Sequence, residues 1–298
     1  MNGTGIASGM PTAVLTDSTS DLTPDEQRHF GLFVLPLRVR FQDRQFMDHQ
    51  NIDAQQMFAA VRSGADLPST RPPTLDTFTR GYELLLQRHD HVLSVHLSAQ
   101  LSETVQVARR AAKLFPGRVT VVDSRQSSGA LAMQAERAAR LVADGVPPSV
   151  VAEVLEVAAH SAVTRMSLDT LEYLRRNGRI GAAAALLGGL LNTKPIVGLD
   201  AGRVVGVARE RGREAAIARM TRDLKEQVRL QSSGGARAVI FDNGDEEGAE
   251  RLEAALREAG GTLFLRSSLG SVLSAHGGPG VCGFSIEPVQ VSLRFRNF

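Results

Sequence analysis

Apolar and polar positions along this chain switch between two spacings, and the switches mark its elements. Ala13-Val-Leu-Thr16 is a short apolar run that reads as a strand, and it ends in the polar cluster Asp17-Ser-Thr-Ser-Asp21. Thr23-Pro24-Asp25-Glu26 has the form of a helix start: a capping residue, proline at the first helical position, then acids in the first turn. Residues 32–41 are strand-like, and Gln42-Asp43-Arg44 turns the chain. Helical spacing returns at 53–63 and at 75–89, the second stretch carrying Phe78, Tyr82, Leu85 and Leu86, with Pro68 to Pro73 as the loop between them. Residues 91–97 read as a buried strand, 103–115 as a helix, 119–122 as a strand and 128–143 as a helix.

Asp144-Gly-Val-Pro-Pro148 breaks both helix and sheet and is the expected domain boundary. Beyond it come a helix (149–160), a strand (162–168), a helix (169–176), the turn Asn177-Gly-Arg-Ile-Gly181 and a small-residue helix (182–191). Residues 195–199 and 204–208 read as a hairpin around Asp200-Ala-Gly202. A charged helix (213–229), a strand (238–241), a helix (247–258) and strands at 262–265 and 283–286 complete the chain. Alternating strands and helices predict an α/β fold. The expected layout is a leader at 1–11, an N-terminal α/β domain at 12–147 with a mainly parallel sheet flanked by helices, and a C-terminal α/β domain at 148–298. Ligands of such sheets bind beyond the carboxyl ends of the strands. The clusters at 17–21, 98–104 and 123–128 each follow a predicted strand and should open on one crevice.

Composition narrows the function classes. With 298 residues, 43% hydrophobic and 22% charged, the chain has enough apolar matter for ordinary cores and is not a disordered or fibrous protein. No run approaches the roughly 20 apolar residues of a bilayer span. The single cysteine, Cys282, excludes an internal disulfide and a cysteine-built zinc site, and reads as a small core residue. These features place the protein in the cytoplasm, with no metal or cofactor expected. The pI is near 9.0, but the formal net charge is only +2 and aromatics are 5%, so nucleic acid would find neither a basic run nor stacking platforms.

Seven segments, in order, then carry a resemblance. They are Thr16-Asp-Ser-Thr-Ser-Asp21; Phe46-Met-Asp48; Ser69-Thr-Arg-Pro-Pro-Thr74; Ser98-Ala-Gln-Leu-Ser-Glu-Thr104; Val122-Asp-Ser124 with Ser128-Gly129; Leu171-Glu-Tyr-Leu-Arg-Arg-Asn-Gly-Arg-Ile180; and His276-Gly-Gly-Pro-Gly280. From about residue 13 to residue 286 the chain resembles the DegV family of bacterial fatty-acid-binding proteins, whose members include the binding subunit of fatty acid kinase. The resemblance implies two α/β domains with a tunnel at their interface that holds one long-chain fatty acid. It implies a non-catalytic protein that presents the acyl carboxylate to a separate ATP-dependent kinase for acyl-phosphate formation in phospholipid synthesis. Transient contact with a membrane surface belongs to the same expectation.

The matching positions for the carboxylate are Thr70, Ser102, Arg179 and His276. Two hydroxyl donors and a cation spare the head group the penalty of an unpaired buried charge. Bland roles stand beside these: a helix cap for Ser102, a turn for Thr70, a carbonyl cap for Arg179 and plain surface for His276. The family pattern is broken by Arg71, by Glu103 in place of glycine and by Asn177 in place of glycine. Glu103 either faces the ligand or sits in a first helical turn, where acids are favoured. Tunnel walls are expected from Ile180, Leu186 and Leu187, with Ala130 and Met133 at the far end. Arg209, Arg211 and Arg213 are the expected partner surface. Asp17 and Asp21 read as caps or backbone acceptors before metal ligands. Two other classes remain open. Ser102, His276 and Asp17 could form an esterase triad, although Gly-x-Ser-x-Gly is absent. Asn177-Gly-Arg-Ile-Gly181 could hold phosphate at a helix start, although no phosphate-binding glycine loop is present.

Overall fold

The computed structural model describes residues 12–188, 192–231 and 234–289, so the expected leader at 1–11 and the end of the expected helix 182–191 lie outside the described residues. The N-terminal half runs β1 (Ala13–Asp17), α1 (Pro24–Phe30), β2 (Leu32–Leu35), β3 (Arg38–Phe41), β4 (Arg44–Met47), α2 (Ala54–Arg62), β5 (Ser69–Arg71), α3 (Leu75–Leu86), β6 (Val92–His96), α4 (Thr104–Ala112), β7 (Val119–Asp123) and α5 (Ser128–Ala143). The rest runs α6 (Pro148–Ser161), β8 (Val163–Ser167), α7 (Glu172–Arg176), β9 (Thr193–Asp200), β10 (Arg203–Arg211), α8 (Gly212–Leu230), β11 (Ala236–Asp242), α9 (Glu246–Glu258), β12 (Thr262–Ser268), α10 (Ser271–Gly277) and β13 (Cys282–Pro288).

The first sheet is parallel throughout, in the order β2-β1-β6-β7. Its strands are apolar on both faces, as a sheet covered on both sides requires. Ala13 and Leu15 pack with Phe78, Tyr82 and Ala108 of α3 and α4, while Val14, Leu93 and Val95 pack with Leu131 and Ala135 of α5 and Val151 and Leu155 of α6. Thr23 closes a complete capping box with Glu26 at the start of α1, as its sequence predicts. The stretch 144–148 joins α5 to α6, and α6 folds back on α5 and β7.

The second large sheet is mixed, in the order β10-β9-β8-β13-β11-β12. One face, with Ile196, Ile240, Cys282, Phe284 and Ile286, is covered by Ile217, Met220 and Leu224 of α8 and by Leu252 and Leu256 of α9. The other face looks toward the N-terminal half. Here α5 lies so close that a Cβ on Gly129 would stand 2.4 Å from Val239 Cβ. Arg137 of α5, buried, donates to Glu287 Oε1 at 2.6 Å, and Arg237 bonds both Glu287 and Glu136.

Four expectations are corrected. The strand-like stretch 32–41 is two strands, because Pro36 has no N–H to continue a ladder and the chain leaves the parallel sheet there. Residues 68–73 are not only loop, since β5 lies inside them and pairs with β3 in a small antiparallel sheet, β4-β3-β5. The run after Ile180 is a 3-10 turn, Gly181–Leu186, that buries only Ala183. The helix α10, which carries His276, has no counterpart in the sequence reading.

Candidate functional site

A partly enclosed cavity lies between the free face of the mixed sheet and the N-terminal half. Its floor follows from strand alternation. Phe241, Gly283, Met166 and Val197 occupy one cross-strand row, and Leu199 and Val204 face the same way one step along. All except Gly283 line the cavity. Glycine is required at 283, because a Cβ there would meet the Phe241 ring at 2.5 Å. Leu37, Leu97 and Leu101 close it from the N-terminal half, and Val272 and Leu273 from α10.

Thr70, Ser102, Arg179 and His276 all reach this apolar space. Each arrives from a different element. Thr70 sits on β5, where Val39 is its register partner, so its side chain shares the inward face of the small sheet with that fully buried valine. His276 comes from α10. Its Nε2 lies 2.8 Å from Thr70 Oγ1, and its Nδ1 has no partner among the described residues. Burial, aided by the nearby Arg179 charge, pushes the imidazole down to about 3, so the ring is neutral at pH 7. Ser102 lies in the loop before α4, and its Oγ accepts from Thr104 N at 3.2 Å and pairs with Thr104 Oγ1 at 2.8 Å. Capping and facing the cavity therefore coexist in one side chain.

Arg179 follows α7. Its Nε donates to Leu101 O at 3.2 Å and its Nη1 to Asn177 O at 2.6 Å. The carbonyl-capping role is thus real, and it bridges the two halves. Asn177 in turn donates to Ala275 O at 3.0 Å, pinning this turn to α10. Among the described residues no carboxylate lies within ion-pair distance of Arg179, which leaves its charge directed at the cavity uncompensated. Arg71 and Glu103, the breaks in the family pattern, are exposed and lie outside the lining.

The five expected tunnel residues lie outside the lining. Ala130 and Met133 are fully buried in α5, whose contact with the mixed sheet leaves no space beside them. Ile180 and Leu186 pack at the margin of the apolar cluster beneath the cavity, Leu186 over Gly206, and Leu187 is exposed. Apart from Ala183, the described small residues of this run are exposed. The strand residues at 166, 197, 199, 204 and 241 were legible as apolar but carried no sign of which face would stay uncovered.

The triad residues are not assembled. Asp17 Oδ2 pairs with His96 Nδ1 at 2.9 Å, His96 Nε2 with Ser94 Oγ at 2.6 Å, and all three side chains are buried away from the cavity. Asp17 also accepts from Thr19 and from Leu97 N, the backbone role its position suggests. His276 bonds Thr70, with no carboxylate behind its Nδ1. Asp21 and Asp48 act across the halves. Asp21 accepts from Gly270 N at 2.9 Å and Asp48 from Val272 N at 3.1 Å, which holds the start of α10. Among the described residues no group of His, Cys, Asp and Glu could hold a metal ion, and no helix is long and apolar enough to cross a membrane.

Arg209 bonds Gly188 O, and Arg211 is exposed at the start of α8. Arg213 is engaged by Asp245, and Glu247 lies 3.4 Å away.

Comparison with known proteins gives one consistent result. The model of the DegV family, described as uncharacterised, matches residues 11–289. A DegV domain-containing protein of Deinococcus radiodurans is 41% identical over 284 residues, covering 94% of this chain and all of that one. A Thermus thermophilus structure described as fatty acid binding of a DegV family protein superposes with a TM-score of 0.89 at 38% identity, over 94% of this chain and 100% of that one. Bacillus subtilis DegV, described as a fatty acid binding protein, superposes with a TM-score of 0.82 at 28% identity, again over 94% and 100%.

Proposed function

This chain belongs to the DegV family, and from that premise we propose that it binds one long-chain fatty acid in the interface cavity and holds its carboxylate with Thr70, Ser102, Arg179 and His276. The observation that carries this reading is the uncompensated Arg179 beside two hydroxyls in a mostly apolar space. Each part of a fatty acid has a place there. A methylene gains about 0.8 kcal/mol on burial, so some fifteen contribute on the order of 12 kcal/mol before ordering costs. The carboxylate exchanges water for charge-assisted bonds. With His276 neutral, the Arg179 guanidinium supplies the charge and the Thr70–His276 pair supplies orientation.

The chemistry on the carboxylate is assigned to a separate ATP-dependent kinase, acting in the cytoplasm and drawing on or feeding the membrane. Arg209 and Arg211, which meet no carboxylate among the described residues, support a role in docking an acidic partner surface. Arg213 is a weaker candidate, because Asp245 already neutralises it.

Native mass spectrometry of the freshly purified protein, followed by lipid extraction, tests the reading. A stoichiometric long-chain fatty acid, lost in Thr70→Ala/Ser102→Ala, is the expected result. A folded protein that is empty and takes up no added fatty acid would sink it. For the partner, Arg209→Glu/Arg211→Glu should lower kinase-dependent acyl phosphate formation while lipid stays bound. Unchanged turnover would refute that surface.

A further inference from the structure

The cavity has a second polar end that the four head-group residues leave unexplained. Ser127 and Ser128 line it from the start of α5. That helix is 16 residues long, and its first residues, Ser128, Gly129 and Ala130, are buried. A buried helix start needs acceptors for its free amides. Ser127, in the capping position, makes no capping bond, and among the described residues no acceptor outside the helix takes the amides of Gly129 or Ala130. The Ser127 side chain is only 5% exposed and has no hydrogen-bond partner among the described residues. Its remaining access is to the cavity.

The surroundings set the charge of what fits. Ser128 Oγ donates to Asp21 Oδ2 at 2.9 Å, and the other oxygen of Asp21 takes Gly270 N and lies 3.3 Å from His49 Nε2. Two carboxylates, Asp21 and Asp48, face one His49 imidazolium here, so this end stays net negative at pH 7 and a further anion is repelled while a neutral oxygen is not. Asp21, which bonds Ser128, stands apart from His276. Gly270, tied to Asp21, precedes α10, and His276 stands near its far end, six helical residues or about 9 Å away.

We propose that the start of α5 is a second polar subsite, where the Ser127 hydroxyl takes a neutral oxygen, hydroxyl or keto, carried part-way along the acyl chain. The inference rests on the fatty-acid reading above and narrows its ligand class to oxygenated chains. An unsubstituted chain leaves this hydroxyl unpaired in an apolar wall, and an oxygen at the right carbon pairs it.

The test is competition binding on the full, lipid-stripped chain. The probes are stearate and three hydroxystearates, with the hydroxyl beside the carboxyl, at mid-chain and near the methyl end. The mid-chain isomer should bind about tenfold tighter than stearate, the worth of one well-made buried hydrogen bond. Ser127→Ala should bring that ratio close to one. Thr70→Ala, checked for folding by circular dichroism, should weaken both ligands and keep the ratio. If no isomer outbinds stearate in the unmodified protein, or if the preference survives Ser127→Ala, the subsite is wrong and a bound water accounts for the place. If neither stearate nor any hydroxystearate binds, the fatty-acid reading itself fails and this inference falls with it.

Discussion

Single side chains set how this protein answers to pH. His276 is held down to about 3 by burial and Arg179, whereas an unfolded histidine titrates near its ordinary 6.5. Between those values the unfolded chain binds more protons, so stability is lost as pH falls from 6.5 toward 3. His49 has the opposite sign. Burial pushes it down, but its bond to Asp21 and the charges of Asp21 and Asp48 outweigh that and lift it to about 9. Its contribution is complete below 6.5 and is lost as pH rises through 9. Asp48, raised to about 6 chiefly by burial, also favours the folded state at lower pH, over 3.8 to 6, and so partly masks the acid-side loss from His276. Urea unfolding across pH should therefore show His276→Gln flattening the acid side by on the order of 3 kcal/mol, and His49→Gln flattening the alkaline side. Equal pH profiles in all three proteins would refute these assignments. At this scale much of the candidate site was legible, in that Thr70, Ser102, Arg179 and His276 share one cavity. The depth of His276 was not, because its burial comes from residues far away in sequence, such as Thr70.

The elements that escaped the sequence reading are the short ones. β5 has three residues and α10 seven, too few for a period to show. α10 also lacks a capping side chain of its own, and its caps, Asp21 and Asp48, come from more than 200 residues away. Long elements such as α5 were plain in outline, yet their packing was not. Gly129 shows this. In an ordinary helix, glycine to alanine gains up to about 1 kcal/mol. Here the new methyl meets Val239 Cβ at 2.4 Å, so Gly129→Ala should instead lose about 1–3 kcal/mol by overpacking. The sign of the shift in urea midpoint decides it. The wall residues were misplaced for the same reason: composition marks Ala182 to Leu187 as small and apolar, but only the sheet pairing reveals that Met166, Val197 and Phe241 form the floor.

At the scale of the whole molecule, the halves are joined by a few exacting contacts around the cavity. Ser98 Oγ of the first half donates to Gly202 O at the tip of the β9–β10 hairpin at 2.8 Å. The deepest tie is ionic, with Glu287 fully buried between Arg137 and Arg237. Such a network adds little net stability as a whole, but removing one member strands the others. Glu287→Ala leaves a buried Arg137 charge without its acid and should cost about 3–5 kcal/mol, read as a fall in Tm. A loss under about 1 kcal/mol would mean that water reaches the site.

The guanidinium of Arg179, which meets no carboxylate among the described residues, gives the protein an electrical signature. The chain carries a formal charge of +2 at pH 7, and under the proposed function an enclosed carboxylate takes one unit from it. Loaded and vacant molecules would then be different charge isomers of one polypeptide. They should part on an isoelectric gel or an ion-exchange column, with no label and no change in sequence. If the proposed function holds, the proportion of the two bands becomes a direct gauge of how much lipid the cell has supplied.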